Sequence, residues 1–295
     1  MKLNAFEARV PGKWILAGEH AVLRGSPALV FPLKSRSLEL HYSPMPKQTL
    51  HLNLSGDHGD ELQLLFWGVL ERACEMVKIS RQDLTGTLQL KSSLPVGAGL
   101  GASAALCVAI GRWFEACELI KTADIYEFSR NLENLFHGES SGVDIAVALS
   151  AEGIRFVRDG ERSKVEMKWT PKWYVSYSGK RGVTIECVGK VKDLIVREPA
   201  KSMKIDENMK QAVVLAEQAL ATDEAKGFPL LQQSMDLALT CFQDWGLCVQ
   251  SHVDWLLDEG AAAVKPTGSG GGGYVLSLWK KEPSAELQKR LVRCL

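Results

Sequence analysis

The sequence predicts a mixed α+β chain, organised either as two modest domains flanking a cleft or as one large α/β domain. Three observations lead there. At 295 residues the chain is long enough to bury a sizeable core. Segments alternating with a period of two, the mark of half-buried strands, crowd residues 7–90, whereas helical apolar spacing dominates residues 207–259. An apolar content of 46% with 24% charged residues is that of an ordinary globular protein.

Taken in order, Glu7–Val10 and Trp14–Ala17 read as short strands on either side of a Pro11-Gly12 turn. Leu38–His41 and Leu50–Leu54 alternate as strands. Asp60–Ile79 opens with acidic residues and continues at helical spacing, so it reads as a helix. Leu84–Leu90 returns to strand alternation. Residues 92–111, SSLPVGAGLGASAALCVAIG, then read as strand end, glycine loop and buried helix. This uncharged run is no membrane span: Pro95 and its glycines spoil a helix, and the dense apolar part, Ala102–Ile110, falls far short of the roughly 20 residues a bilayer needs. Helices are expected at Thr122–Phe136 and Ser141–Leu149. Strands follow at Ile154–Arg158, Lys164–Trp169 and Trp173–Ser178, then helices at Glu207–Ala221, Pro229–Gln243 and Cys248–Glu259. A strand, YVLSLW, and a last helix from Pro283 complete the chain. No linker or repeat divides it; a boundary near 165 gives expected domains of 1–165 and 166–295.

Charge excludes some function classes. Lys plus Arg and Asp plus Glu number 35 each, so no global basic surface favours nucleic acid or an anionic membrane. The seven cysteines are scattered and form no CxxC pair, which argues against a zinc site or a disulfide framework. Charges occupy the first residues where a signal peptide needs an apolar core, so a reducing cytoplasm is the expected location.

Three segments carry chemistry. In residues 92–111 a glycine loop precedes an apolar helix, the arrangement that lets backbone N–H groups and the helix dipole hold an anion. Packing against a neighbouring strand is the competing explanation. No Gly-Lys-Ser/Thr occurs, so this is not a Walker loop, and the literal GxGxxG at Gly268–Gly273 leads into a strand instead of a helix. In PGKWILAGEHAVLRG, Lys13, Glu19 and His20 border an apolar stretch; burying them is costly unless they are paired or used. A surface lysine and a capping glutamate are the plain alternative. In LENLFHGESSGVDIAVALS, Glu133 precedes His137 by one helical turn, and Asp144 interrupts an apolar run. Asp144 must be satisfied there, either as a first-turn helix residue or by a cation such as a lysine ammonium.

Together these segments resemble the GHMP family of small-molecule kinases. PGKWILAGEHAV is similar to the family's first motif, LPVGAGLGASAAL to its second, and KPTGSGGGGY to its third, in that order. GEHAV with HGESSGVDIAV resembles the mevalonate-phosphorylating branch. The likeness is strong over the N-terminal half, weak across residues 155–260, and returns at the third motif.

The resemblance implies a first domain with a left-handed βαβ crossover and a second, ferredoxin-like α+β domain, with ATP and acceptor in the cleft. It implies that the backbone of Pro95, Val96, Gly97, Ala98, Gly99, Leu100, Gly101, Ala102 and Ser103 holds the ATP phosphates. Ser103 and Glu133 would ligate Mg²⁺, and Asp144 would be the general base, with Lys13 beside it. Glu19, His20 and Thr184 would line the acceptor pocket. The third motif, Thr267–Gly273, would brace the phosphate loop and close over nucleotide and acceptor, with Thr267 and Gly268 binding substrate. Departures from the family pattern include Ala102 for serine, Glu139-Ser140-Ser141 for Asn-Pro-Ser, Ile145 for asparagine, Pro266 for leucine and Ser269 for alanine. The expected acceptor is mevalonate, phosphorylated to 5-phosphomevalonate, and a homodimer is carried as the expected assembly. A phosphomevalonate or other sibling kinase stays open, with Arg24, Lys34 and Arg36 as candidate phosphate-binding cations. So does a non-catalytic ATP or metabolite sensor.

Overall fold

The computed structural model describes residues 2–58, 62–137 and 140–295, the side chain of His137 excepted. Asp60 and Glu139 therefore lie outside the described residues. The chain divides into two compact units. One holds residues up to Lys13, Arg36–Val96 and Leu100–Ala151; the other holds Trp14–Ser35, Gly97–Gly99 and Glu152–Leu295.

The first strand, β1 (Phe6–Ala17), runs unbroken through Pro11 and Gly12, so the expected turn there does not form. Proline is tolerated on a strand with an unpaired edge, and β2 (Ala28–Thr49) is the partner of β1 among the described residues. Strand geometry, not a turn, thus positions Lys13. In the first unit β3 (His51–Ser55) lies parallel to β4 (Thr85–Ser92), with Leu52 opposite Leu88 and Leu54 opposite Leu90. Helix α1 (Gln63–Val77) joins them into a βαβ unit, and β4 pairs antiparallel with Leu38–Thr49 of β2.

Helices α2 (Ala102–Ala116), α3 (Ile125–His137) and α4 (Val143–Ser150) pack against one another. Every residue of α2 from Ala104 to Gly111 is buried, which accounts for the uncharged run. On α3 the buried positions Phe128, Leu132, Ser129 and Glu133 share one stripe, so the apolar anchoring of the helix drives Glu133 inward.

In the second unit Ala28–Val30 of β2 pairs with β5 (Ile154–Phe156), which pairs with β6 (Arg162–Lys164). The strand expected at Lys164–Trp169 therefore lies earlier. Asp159 in the left-handed region and a Gly160 N–H bond to the Val157 carbonyl turn the chain sharply and start β6 at once. A second sheet has the order β10 (Val292–Arg293), β7 (Lys172–Tyr177), β9 (Tyr274–Trp279), β8 (Ala263–Pro266), antiparallel throughout. Counting β7 as the first strand gives the order 4-1-3-2, with helices after the first and third strands. That is the ferredoxin-like arrangement expected for this half.

Helices α5 (Thr184–Arg197), α6 (Pro199–Leu220), α7 (Glu224–Asp244) and α8 (Gln250–Asp258) fill the β7–β8 connection. Helix α5 was not anticipated. Helix α7 begins ahead of the expected Pro229 because the Asp223 side chain caps it, accepting from the Lys226 N–H. The last helix, α9 (Ala285–Gln288), is one turn long; the chain then rejoins the sheet as β10, where the Cys294 N–H donates to the Trp173 carbonyl. Trp14 packs on Phe31 and Trp173 at ring separations of 4.7 and 4.9 Å. No helix among the described residues is long and apolar enough to cross a membrane.

Candidate active site

Within the first unit, three titratable residues from separate elements converge. Lys13 on β1 is 4% exposed, and its Nζ lies 2.9 Å from Oδ2 of Asp144. Asp144 occupies the first turn of α4, behind the left-handed Gly142 that starts the helix. It is therefore both a helix-start carboxylate and the partner of a buried ammonium; the two readings of this residue are compatible.

Glu133 is 2% exposed on α3. Its Oε2 accepts a hydrogen bond from the Ser140 hydroxyl, while Oε1 is buried without a hydrogen-bond partner. Burial, and then the negative charge of Asp144, push the Glu133 carboxyl up to about 8; the Ser140 hydrogen bond and the charges of Lys13 and Arg130 only partly offset this. An orphaned buried carboxylate oxygen is costly and calls for a ligand.

Ser103 is the second residue of α2, one turn before Cys107. The Cys107 thiol is pushed up by burial and then by the charge of Glu133.

The glycine loop delivers α2 to this cluster. Gly97, Gly99 and Gly101 have φ of 69°, 87° and 77°, the left-handed region that glycine enters without penalty. Gly101 starts α2, and no side chain caps the helix, which leaves its first N–H groups open to an anion. A Cβ on Gly101 would sit 2.7 Å from Cγ of Lys13, so the lysine stem crosses the helix start, and the Lys13 N–H donates to the Leu100 carbonyl at 3.0 Å. The loop tip, Gly97–Gly99, belongs to the second unit. There the Tyr274 N–H donates to the Ala98 carbonyl at 3.2 Å, so Tyr274 holds the tip. The Arg181 side chain lies against Gly97.

The second unit carries its own polar cluster. Glu19 and Lys265 form an ion pair at 2.5 Å with side chains 1% and 0% exposed, and Lys265 Nζ also donates to the Ile15 carbonyl at 3.2 Å. The Thr267 hydroxyl accepts from the Ile15 N–H at 2.8 Å and donates to the Ile15 carbonyl at 3.1 Å. His20, buried and at φ 57°, places Nε2 2.9 Å from the Ser269 carbonyl and packs edge-on to Trp245. Burial lowers its pKa to about 4, the carbonyl contact only partly opposing, so the ring is neutral near pH 7. Thr184 Oγ1 lies 3.3 Å from Ser269 Oγ, and Gly268 takes φ 85°. The first-motif segment Ile15–His20 is thus fastened to Lys265–Ser269 by three side chains. Thr267 spends its hydroxyl, and Glu19 its Oε1, on this fastening.

Sequence reasoning missed Lys265, although a lone lysine in the apolar run Ala261–Pro266 was a visible signal. It also missed Ser140 and Arg181. Arg24, a candidate phosphate cation, is held by both oxygens of Asp206, and Arg36 donates to the Ser93 carbonyl.

A family model described as the GHMP kinases N terminal domain matches residues 65–152, the span bearing Ser103, Glu133 and Asp144. Residues 65–152 thus match a GHMP kinase N-terminal domain. A mevalonate kinase of Pyrococcus abyssi is 28% identical over 297 residues, covering 92% of this chain and 88% of that protein. The fold is similar to that of the L. major mevalonate kinase solved with R-mevalonate, with a TM-score of 0.78 at 21% identity over 97% of this chain and 89% of that one. A Streptococcus pneumoniae phosphomevalonate kinase is nearly as similar, with a TM-score of 0.71 at 16% identity over 97% and 94% of the two chains. Fold alone does not separate these acceptors.

Proposed function

We propose that this chain is an ATP-dependent mevalonate kinase of the GHMP family, acting in the cytoplasm and transferring the terminal phosphoryl group of ATP to the C5 hydroxyl of mevalonate. The observation that carries the reading is the pair between the buried Lys13 ammonium and Asp144 at the start of α4, beside a carboxylate with an unpartnered oxygen. Relatives bearing the mevalonate kinase name over nine-tenths of the chain support the choice of acceptor.

Asp144 receives the acceptor hydroxyl proton as the hydroxyl oxygen bonds to the terminal phosphorus. The bond from that phosphorus to the bridging oxygen breaks, ADP leaves with the bonding pair, and the proton passes from Asp144 to solvent. Lys13 holds the Asp144 carboxylate in place and adds positive charge where negative charge develops. The loop Pro95–Gly101 and the uncapped start of α2 supply N–H donors to the phosphates.

The residues present fit Mg²⁺. Glu133 offers a buried, unpartnered oxygen and Ser103 a hydroxyl, while no cluster of three His, Cys, Asp or Glu forms a full cage among the described residues. Phosphate oxygens and water would complete the shell, the coordination Mg²⁺ prefers. Bound there, the ion supplies charge neutralisation on the phosphates. In the second unit His20 and Thr184 would touch the acceptor, with Glu19, Thr267 and Gly268 shaping the segment that presents them. The engagement of Arg24 by Asp206 weighs against a site built for a phosphorylated acceptor. A homodimer is the assembly to test by light scattering.

ADP release measured across mevalonate, phosphomevalonate, homoserine and galactose tests the proposal. Turnover confined to mevalonate supports it. Turnover only with phosphomevalonate transfers the chain to the sibling activity, and none with any acceptor removes the kinase reading.

A further inference from the structure

Ser140 belongs to neither helix of the first unit's cluster, yet it is bonded to both. It is 5% exposed. Its N–H donates to Asn134 Oδ1 at 2.8 Å and its carbonyl accepts from Arg130 Nε at 3.4 Å, two residues of α3. Its hydroxyl oxygen accepts from the N–H of Gly142, the residue that starts α4, at 3.0 Å. With Glu133 ionised, as a metal ligand is, its oxygens only accept, so the Ser140 hydroxyl donates its proton to Oε2.

The consequence falls on Glu133. One carboxylate oxygen is engaged by Ser140 and the other, Oε1, is buried without a hydrogen-bond partner. The rotamer is therefore set with Oε1 as the oxygen to be used. We propose that Ser140 is a positioning residue: its hydroxyl orients Glu133 to present Oε1 to a divalent cation and ties that carboxylate to the start of α4, the helix carrying Asp144. This rests on the reading of Glu133 as a metal ligand. A proline at this position would have neither the hydroxyl nor the N–H, so the device belongs to the Glu139-Ser140-Ser141 sequence of this chain.

The test measures free Mn²⁺ by electron paramagnetic resonance as it is titrated into the protein with a fixed amount of ADP, for wild type, Ser140→Ala, Ser140→Gly, Ser140→Thr and Glu133→Gln. Thermal unfolding of each protein sets a measuring temperature at which it is folded. Loss of an outer-shell partner costs about 10-fold or more in metal affinity, so Ser140→Ala should weaken Mn²⁺ binding about 10-fold. The threonine variant, keeping the hydroxyl, should bind near wild type. In turnover, Ser140→Ala should raise the Mg²⁺ needed for half-activity by a similar factor while leaving the acceptor KM unchanged. Ser140→Gly replaces alanine should the latter not fold. Wild-type Mn²⁺ binding by the hydroxyl-less variants, with binding lost in Glu133→Gln, overturns the role of Ser140 alone. Wild-type binding by Glu133→Gln overturns the metal reading and this proposal with it.

Discussion

Replacing Lys265 with methionine removes one member of an ion pair whose two side chains are 0% and 1% exposed. Glu19 then keeps a carboxylate in the protein interior with its cation gone. Breaking a buried pair from one side typically costs about 3–5 kcal/mol. The Ile15 carbonyl loses its lysine donor too, but it still accepts from Thr267, so its loss adds at most about 1 kcal/mol. A total near 4 kcal/mol corresponds to a Tm lower by roughly 10 °C in a chain of this size. Urea unfolding of Lys265→Met, Glu19→Leu and the double variant completes a mutant cycle. The double variant should recover most of the loss, since two matched apolar side chains often replace a buried pair at little cost. The expected coupling is therefore at least about 3 kcal/mol. Additive losses, with coupling below about 0.5 kcal/mol, would refute the reasoning, because the pair would then be two independent contributions. The same variants probe the site: the double variant should keep its fold and raise the acceptor KM, because the segment bearing His20 loses one of its three fastenings.

Three further outcomes follow from the geometry. Asp144→Asn should lower kcat about 10²- to 10⁴-fold, the range for a general base, while ATP binding measured by calorimetry stays near wild type; near-normal turnover would remove Asp144 from that role. Gly101→Ala forces a side chain into φ +77° and sets its Cβ 2.7 Å from Lys13 Cγ. The displaced ammonium should cost about 100-fold in kcat with the far-ultraviolet circular dichroism unchanged, and wild-type turnover would show that Lys13 is not held by this contact. Burial holds the His20 pKa at about 4 against an ordinary 6.5, with the charge of Arg24 lowering it further and the Ser269 carbonyl and Asp206 raising it. The unfolded chain therefore binds the proton first, so stability is intact above pH 6.5 and falls as pH drops toward 4, by about 3 kcal/mol in all. Unfolding from pH 7.5 to 4 should be less steep for His20→Gln than for wild type; equal slopes would contradict the assignment.

The fold was legible wherever a period could be counted. The alternation of Leu84–Leu90 and the helical spacing of Glu207–Ala221 reappear as β4 and α6, because each buries one face against a neighbour. Failures cluster where tertiary pairing overrode a local signal. Pro11-Gly12 has the composition of a turn, yet the segment extends as β1 because it pairs with β2. The run after Pro283 has helix formers but stops after one turn, because Val292–Arg293 supplies the edge of a sheet whose next strand, β7, lies more than a hundred residues earlier. Helix α5 escaped notice because only Cys187 and Val191 of its residues are buried, too thin a stripe to register as a period.

The site was legible in a different sense. A charge inside an apolar run announces that a partner exists, because the interior does not tolerate it alone. Lys13, Glu19 and Asp144 stood out on that ground, whereas Glu133 came from the family resemblance. What the run cannot name is the partner. Glu19 and Lys265 are 246 residues apart, and nothing in either neighbourhood points to the other. The partner of Asp144 is the Lys13 ammonium, whose stem passes the start of α2 where Gly101 lacks a Cβ. Ser140 shows the limit. A serine between a glutamate and a serine carries no signal in sequence, and its weight comes wholly from the hydroxyl proton it donates to an ionised Glu133 and the Gly142 N–H it accepts. Residues that bear charge can be found by asking what would be unstable alone. Residues that orient a charge become visible only when every donor around it has been assigned.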